Sequence, residues 1–164
     1  FNDYIWPDFS KIPQPRKGSA VIHFNKIESE KRFSLDGYEI FPVLVNHQVD
    51  TLGYIIEKGN TAILFTLDTM ETERIWEVAK EYKNLKAIFT EVSFPNHLKA
   101  VAKASYHHTP DSLKEEIKKM PEEVPIYLGH LKPNFQKELI KEINAIGEKR
   151  IEVLDVDGRT FDFS

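Results

Sequence analysis

The alternation of apolar and polar positions divides the chain into a strand-rich first half and a second half in which strands and helices alternate. Short apolar runs predict strands at 20–27, 38–46, 52–58, 61–67, 85–92, 125–129, 151–156 and 159–163. Gly59-Asn60 predicts a hairpin between two of them. Apolar residues at helical spacing predict helices at 71–83, 96–104, 111–119 and 134–146.

This order of elements predicts one domain over residues 1–164, with a mixed sheet packed by helices, in the α/β or α+β class. Residues 1–19 are predicted to form an irregular lead-in, because they contain prolines and a glycine. This lead-in is too apolar to be a solvated tail. We expect four of its residues to pack onto the rest of the protein: Tyr4, Ile5, Trp6 and Phe9.

Composition excludes several classes of function. A net charge of −4 argues against an extended nucleic-acid tract, which would need excess positive charge. The chain has no cysteine, so a metal would have to be held by His, Asp or Glu. No apolar stretch approaches the roughly 18–20 residues of a membrane span, and no signal peptide is visible. The cellular compartment stays unknown, and the opening at Phe1 rather than Met leaves a start further upstream open.

Four chemically active residues each end an apolar run: His47, Asp68, Glu91 and His130. A polar residue at a strand end lies at the rim of a sheet, where metal and substrate sites are built. We expect these side chains to converge, with His107 in a short loop nearby. Two divalent metals, zinc or manganese, would fit such donors, with Asp68 bridging and His47 and His130 as terminal ligands. Ordinary structural roles stay open, with Asp68 capping a helix and the other residues hydrogen-bonded or solvated.

Six strings of residues, in this order, resemble class II cyclic-nucleotide phosphodiesterases, which have the metallo-β-lactamase fold. They are FNDYIWPDF, VNHQVDTLGYIIE, AILFTLDT, LKAIFTEVSFPN, HHTPDSLKEEI and IYLGHLKPNFQKELIKEI. The resemblance covers essentially the whole chain, and EVSFPN and GHLKP are its most specific parts. It implies the C-terminal half of an αββα sandwich.

The resemblance also implies roles for five residues. His47, Asp68 and His130 would be metal ligands, with Asp68 bridging two divalent ions. By analogy with the tRNA 3′-end processing endonucleases, His107 would protonate the leaving oxygen and Glu91 would orient and charge it. His108 competes with His107, because a shift of one position in the alignment exchanges them.

The chain departs from the family pattern at several positions. The first metal motif of the family, His-x-His-x-Asp-His, is absent. This absence leads us to expect that a missing N-terminal half or a second chain completes the site, and that the chain alone is inactive. Glycines of the family are replaced by Leu67 and Tyr106, and a threonine by Gly129. A leucine in place of glycine is expected to crowd the cleft or displace Asp68.

Three functions stay open at this point. The leading one is hydrolysis of 3′,5′-cyclic nucleotides such as cAMP or cGMP to 5′-nucleotides by a dinuclear metal site. The second is a non-catalytic half-domain that pairs with a partner chain or with a copy of itself. The third is a hydrolase of the same fold that acts on RNA ends or on another ester. The preferred base, the metal and the oligomeric state do not follow from the sequence.

Overall fold

The computed structural model describes residues 7–13, 20–155 and 158–163. Its centre is one sheet whose seven strands lie side by side in chain order. The strands are β1 Phe33–Leu35, β2 Tyr38–Val45, β3 Thr51–Lys58, β4 Thr61–Phe65, β5 Leu85–Glu91, β6 Ile126–Gly129 and β7 Ile151–Val153. The helices are α1 Arg74–Ala79, α2 Lys99–Ala104, α3 Pro110–Ile117 and α4 Gln136–Ile146, with 3₁₀ turns at Asn96–Leu98 and Pro133–Phe135.

The sheet is mixed, as the sequence predicts. Strands β1 to β4 pair in antiparallel fashion, and β4 to β7 pair in parallel. Each parallel connection contains helix, because a parallel pair needs a crossover. Since β2 is antiparallel to β3 and β3 to β4, strands β2, β4, β5 and β6 all end at the same edge of the sheet.

The two faces of the sheet differ in their covering. Alternate strand residues such as Leu64, Ile88 and Leu128 are fully buried with Trp76 of α1 and Leu139 of α4 in one hydrophobic core. The residues between them point to the opposite face, because strand side chains alternate. The helices therefore cover the first face.

On the opposite face, three rings stack across neighbouring strands. The ring centroids of Phe65 and Phe89 lie 4.7 Å apart, and those of Phe89 and Tyr127 lie 4.9 Å apart. Phe161 contacts Tyr127 at 4.7 Å between centroids. The chain after β7 thus covers one part of this second face, while Leu44, outside that part, is about half exposed.

Two strand predictions are wrong, and one strand was not predicted. Residues 20–27 form no strand, and Ala20 makes only an isolated bridge to Pro13. The edge beside β2 is taken by β1, which the sequence analysis missed. Residues 159–163 are not a strand either, because Phe161 and Phe163 contribute ring packing in place of a backbone ladder.

Other predictions need adjustment or fall outside the structure. Within the described residues 151–155 the predicted strand shortens to β7, and the helix at 71–83 shortens to α1. The Gly59-Asn60 hairpin joins antiparallel β3 and β4. Phe9 is partly buried, whereas Tyr4, Ile5 and Trp6 lie outside the described residues. Within the described ranges, no helix has the length and apolar character needed to cross a bilayer.

Candidate metal and catalytic site

Side chains from four strand ends meet at one edge of the sheet. His47 follows β2, Asp68 follows β4, Glu91 is the last residue of β5 and His130 follows β6 directly. These strands share a direction, so their ends bring together residues that are far apart in the sequence. His107 joins them from the loop between α2 and α3.

Distances within this group are short. His130 Nδ1 lies 2.5 Å from Asp68 Oδ1. One donor atom each from His47, Asp68 and His107 lies within 4.8 Å of the other two, a spacing suited to a metal ion. The ring of His107 is 5.3 Å from that of His47 and 5.2 Å from that of His130, measured between centroids. All four side chains therefore face one space.

Hydrogen bonds decide which ring nitrogens are available there. His47 Nδ1 lies 3.1 Å from the carbonyl oxygen of Tyr106. A carbonyl can only accept, so Nδ1 carries the hydrogen and Nε2 of the neutral ring keeps a lone pair. A carbonyl or carboxylate on the second nitrogen is the usual way to orient a metal-binding histidine. His47 is thus arranged as such a ligand would be.

Glu91 holds His107 in a buried network. Its side chain is 3% exposed, and Oε1 accepts from His107 Nδ1 at 2.9 Å. The backbone N–H of His108 donates to the same oxygen at 3.2 Å, and Ser93 Oγ donates to Oε2 at 2.8 Å. Ser93 is fully buried, and its Oγ also lies 3.3 Å from the carbonyl oxygen of His130. This leaves His107 Nε2 as the ring atom available to a ligand or a substrate.

Ser93 is a site residue that the sequence analysis missed. Its signal was its place in EVSFPN, two residues after Glu91 at the end of a strand. A serine there is common in ordinary loops, and only the fold shows that its hydroxyl joins Glu91 to the strand end at His130.

His107 and His108 occupy different environments. The side chain of His107 is 10% exposed, whereas His108 is fully buried with Nδ1 2.9 Å from Ser112 Oγ. Burial lowers the pKa of His108, and its Nε2 has no hydrogen-bond partner among the described residues. Of the two histidines, His107 is therefore the one that faces the group at the sheet edge.

The structural alternative for Asp68 is wrong in its simplest form. The residue at the N-cap of α1 is Glu73, so Asp68 does not cap that helix. His130 has a further contact, because Lys132 Nζ lies 2.9 Å from its Nε2. Both ring nitrogens of His130 are thus engaged, one with a carboxylate and one with an ammonium.

Backbone strain surrounds the site. Leu67, Tyr106 and His130 have φ angles of 56°, 57° and 60°, a region that costs a non-glycine residue about 1–2 kcal/mol. Leu67 and Tyr106 stand where the resemblance places glycine. The leucine is half exposed, and Asp68 next to it contacts His130.

The sequence matches no protein-family model, and no curated protein matches it significantly. Solved structures do match. The metallo-β-lactamase fold protein YhfI from Bacillus subtilis is 14% identical over 77% of this chain and 51% of its own, with a TM-score of 0.63. Zinc-bound PqqB from Methylobacterium extorquens is 15% identical over 83% and 51% of the two chains, with a TM-score of 0.57. Human tRNase Z, short form, is 14% identical over 63% and 40%, with a TM-score of 0.50.

The chain spans about half the length of the first two of these proteins. At such identities the likeness concerns the fold and not the activity. It agrees with the mixed sheet and with the helices on one of its faces. The prediction of fold class is confirmed: this chain has the metallo-β-lactamase fold.

Proposed function

We propose that this chain forms part of a metal-dependent phosphodiesterase that hydrolyses 3′,5′-cyclic nucleotides to 5′-nucleotides. The observation that carries the proposal is the meeting of His47, Asp68, His107 and His130 at one sheet edge. The resemblance to class II phosphodiesterases supports the substrate, and the fold supports the location of the site. A structural neighbour described as a diphosphatase of the PhnP family has a TM-score of 0.51.

The donor set suits a divalent metal such as zinc or manganese. Two imidazoles and a carboxylate are zinc ligands, and three protein ligands leave the open position that distinguishes catalytic zinc sites. His47 and Asp68 would hold the metal, and His130 would do so if its ring leaves Lys132. A bound metal would lower the pKa of coordinated water toward about 7 and offset the charge on a phosphoester. Among the described residues only one group of three has this spacing, and its third member is His107 and not His130. We assign His107 to proton transfer, so loss of metal on its replacement would contradict that assignment. A second ion would need donors from outside this group.

We assign proton transfer to the leaving oxygen to His107. Hydrolysis breaks the bond between phosphorus and the 3′ oxygen, and that oxygen needs a proton as it leaves. Glu91 accepts from Nδ1, which fixes the ring so that Nε2 can deliver the proton. Ser93 occupies the second oxygen of Glu91 and thereby keeps the carboxylate from rotating.

We further propose that the rest of the site comes from a missing N-terminal half or from a second chain. Two observations support this. The chain spans about half the length of YhfI and PqqB, and the second face of the sheet leaves Leu44 and Leu67 about half exposed. A non-catalytic half-domain is the competing proposal, favoured by the single group of metal donors among the described residues.

The experiment compares cAMP and cGMP hydrolysis with zinc or manganese, for the 164-residue chain alone and together with a chain that carries His-x-His-x-Asp-His. We expect appreciable activity only from the pair. In the active pair, His107→Ala should lower turnover by roughly 10²–10⁴-fold without loss of metal, whereas His108→Ala should do much less. Equal losses from both variants would contradict the acid assignment. Metal-loaded pairs without hydrolysis would favour the non-catalytic half-domain.

A further inference from the structure

An open cleft of about 580 Å³ is lined by His107 together with residues of α2 and of the segment before α1. This volume lies within the range of small-molecule sites, roughly 300–1,000 Å³. Met70, Ala100 and Ala102 supply apolar lining. The polar lining includes Glu71 from the segment before α1 and two lysines of α2, Lys99 and Lys103.

Because His107 lines the cleft, the cleft lies beside the proposed proton donor to the leaving group. A general acid must lie within hydrogen-bond reach of the oxygen that it protonates. If His107 is that acid, the group attached to the leaving oxygen lies on the His107 side of the phosphate, where the cleft opens. For a 3′,5′-cyclic nucleotide that group is the ribose with its base. This step rests on the proposed function.

The two lysines are the distinctive polar groups of the cleft. Lys99 and Lys103 are four positions apart on one helix, so they project from the same face. In the part of the chain that the structure describes, neither takes part in an ion pair. An ammonium group only donates hydrogen bonds, and a carboxylate such as that of Glu71 only accepts. The cleft therefore offers paired donors on one segment and an acceptor on another.

We propose that this cleft binds guanine in preference to adenine. Guanine carries two adjacent acceptors, O6 and N7, which lysine and arginine recognise in nucleic acids. Its neighbouring edge carries two donors, N1–H and the N2 amino group, which a carboxylate can accept together. Adenine has an amino group in place of O6, so it cannot present two adjacent acceptors to Lys99 and Lys103. Glu71 then accepts from N1–H and N2–H of guanine.

Binding of the free nucleosides tests this preference without a metal or a phosphate. Affinities of guanosine and adenosine for the chain would be measured by calorimetry, with NMR shifts of α2 amides locating the site. We expect guanosine to bind about 5–150-fold more tightly, as for one good bidentate contact to a base edge. Lys99→Gln with Lys103→Gln should remove most of that difference, and Glu71→Gln should reduce it. Lys114→Gln serves as the control, because Lys114 is an exposed lysine of α3 outside the cleft.

Equal affinity for the two nucleosides, or a preference that survives the double lysine substitution, would overturn the proposal. The guanine proposal would also be overturned by equal kcat/KM values for cAMP and cGMP, measured with the chain and its partner together. If that activity still depended on His107, the phosphodiesterase proposal would remain intact. Conversely, absent hydrolysis combined with selective guanosine binding would count against the phosphodiesterase and not against the guanine site.

Discussion

Replacing Glu116 should destabilise the chain far more than replacing its exposed neighbour. Glu116 lies on α3 and is 1% exposed. Its Oε1 accepts from Trp76 Nε1 at 2.5 Å and from the Thr72 backbone N–H at 3.0 Å, and its Oε2 accepts from Lys119 Nζ at 2.9 Å. The carboxylate therefore ties α3 to α1 and to the segment that follows Asp68.

The magnitude follows from the donors that Glu116→Ala would strand. Trp76 is 1% exposed and Thr72 is 7% exposed, so neither donor could recover a hydrogen bond from water without rearrangement. Each buried, unpaired donor costs about 1–3 kcal/mol, and removing one member of a buried charged pair costs about 3–5 kcal/mol. The ammonium of Lys119 is partly exposed and can be rehydrated. We therefore expect a loss of about 3–5 kcal/mol in unfolding free energy, a large share of the roughly 5–15 kcal/mol of a typical domain.

Urea unfolding followed by tryptophan fluorescence and circular dichroism would measure this loss, at two protein concentrations to separate folding from association. Glu115→Ala is the matched control, because Glu115 is exposed and, among the described residues, forms an ion pair only with Lys118 one turn away. It should change stability by about 0.5 kcal/mol or less. A loss below about 1 kcal/mol for Glu116→Ala would refute the reasoning, since it would mean that Trp76 and Thr72 do not depend on this carboxylate.

Three further predictions concern stability. Leu67→Gly should stabilise the chain by up to about 1 kcal/mol in urea unfolding, because the strain of φ 56° exceeds the added freedom of glycine in the unfolded state; a clear loss would contradict that strain. Gly53→Ala should destabilise it by at least about 1–3 kcal/mol, since the new Cβ would meet Ile75 Cδ1 at 2.5 Å and the Phe65 carbonyl oxygen at 2.9 Å; an unchanged midpoint would contradict this packing. Burial lowers the pKa of His108, so its contribution is present above the unfolded-state pKa of about 6.5 and is lost as the pH falls below it. Stability between pH 7 and 5 should therefore fall less in His108→Asn than in the parent, and identical slopes would exclude this cause.

The sequence predicts most of the strands and helices because their apolar periodicity is local. It also contains a hairpin signal that we did not use: Asp36-Gly37 joins β1 to β2, with φ angles of 50° and 80°. Two-residue turns of this composition favour such hairpins. The segment 20–27 looked like a strand by composition, but a strand also needs a partner, and the edge beside β2 is occupied by β1.

For the candidate site too, local sequence patterns predict some of the residues, and the fold is needed for the others. Polar residues at strand ends identify His47, Asp68, Glu91 and His130, because parallel strands bring their ends to one edge. The contacts that distinguish His107 from His108 depend on the fold. So does the role of Ser93, whose partners come from two different strands. Such contacts join residues distant in sequence, and local pattern carries no information about them.

Zinc binding by the chain is the most direct test of the central claim, that the strand ends form a divalent metal site. A titration against a chromophoric zinc chelator at pH 7.5 would compare the parent with His47→Ala and Asp68→Asn. His97→Ala is the control, because its exposed ring pairs with Glu138 away from the site. We predict zinc binding by the parent and the control. Each of the two site variants should bind zinc more weakly than the parent. The loss of affinity should exceed the roughly 10–100-fold that follows when a group hydrogen-bonded to a metal ligand is removed. Absence of zinc binding in the parent, or equal affinity in all four proteins, would contradict the account.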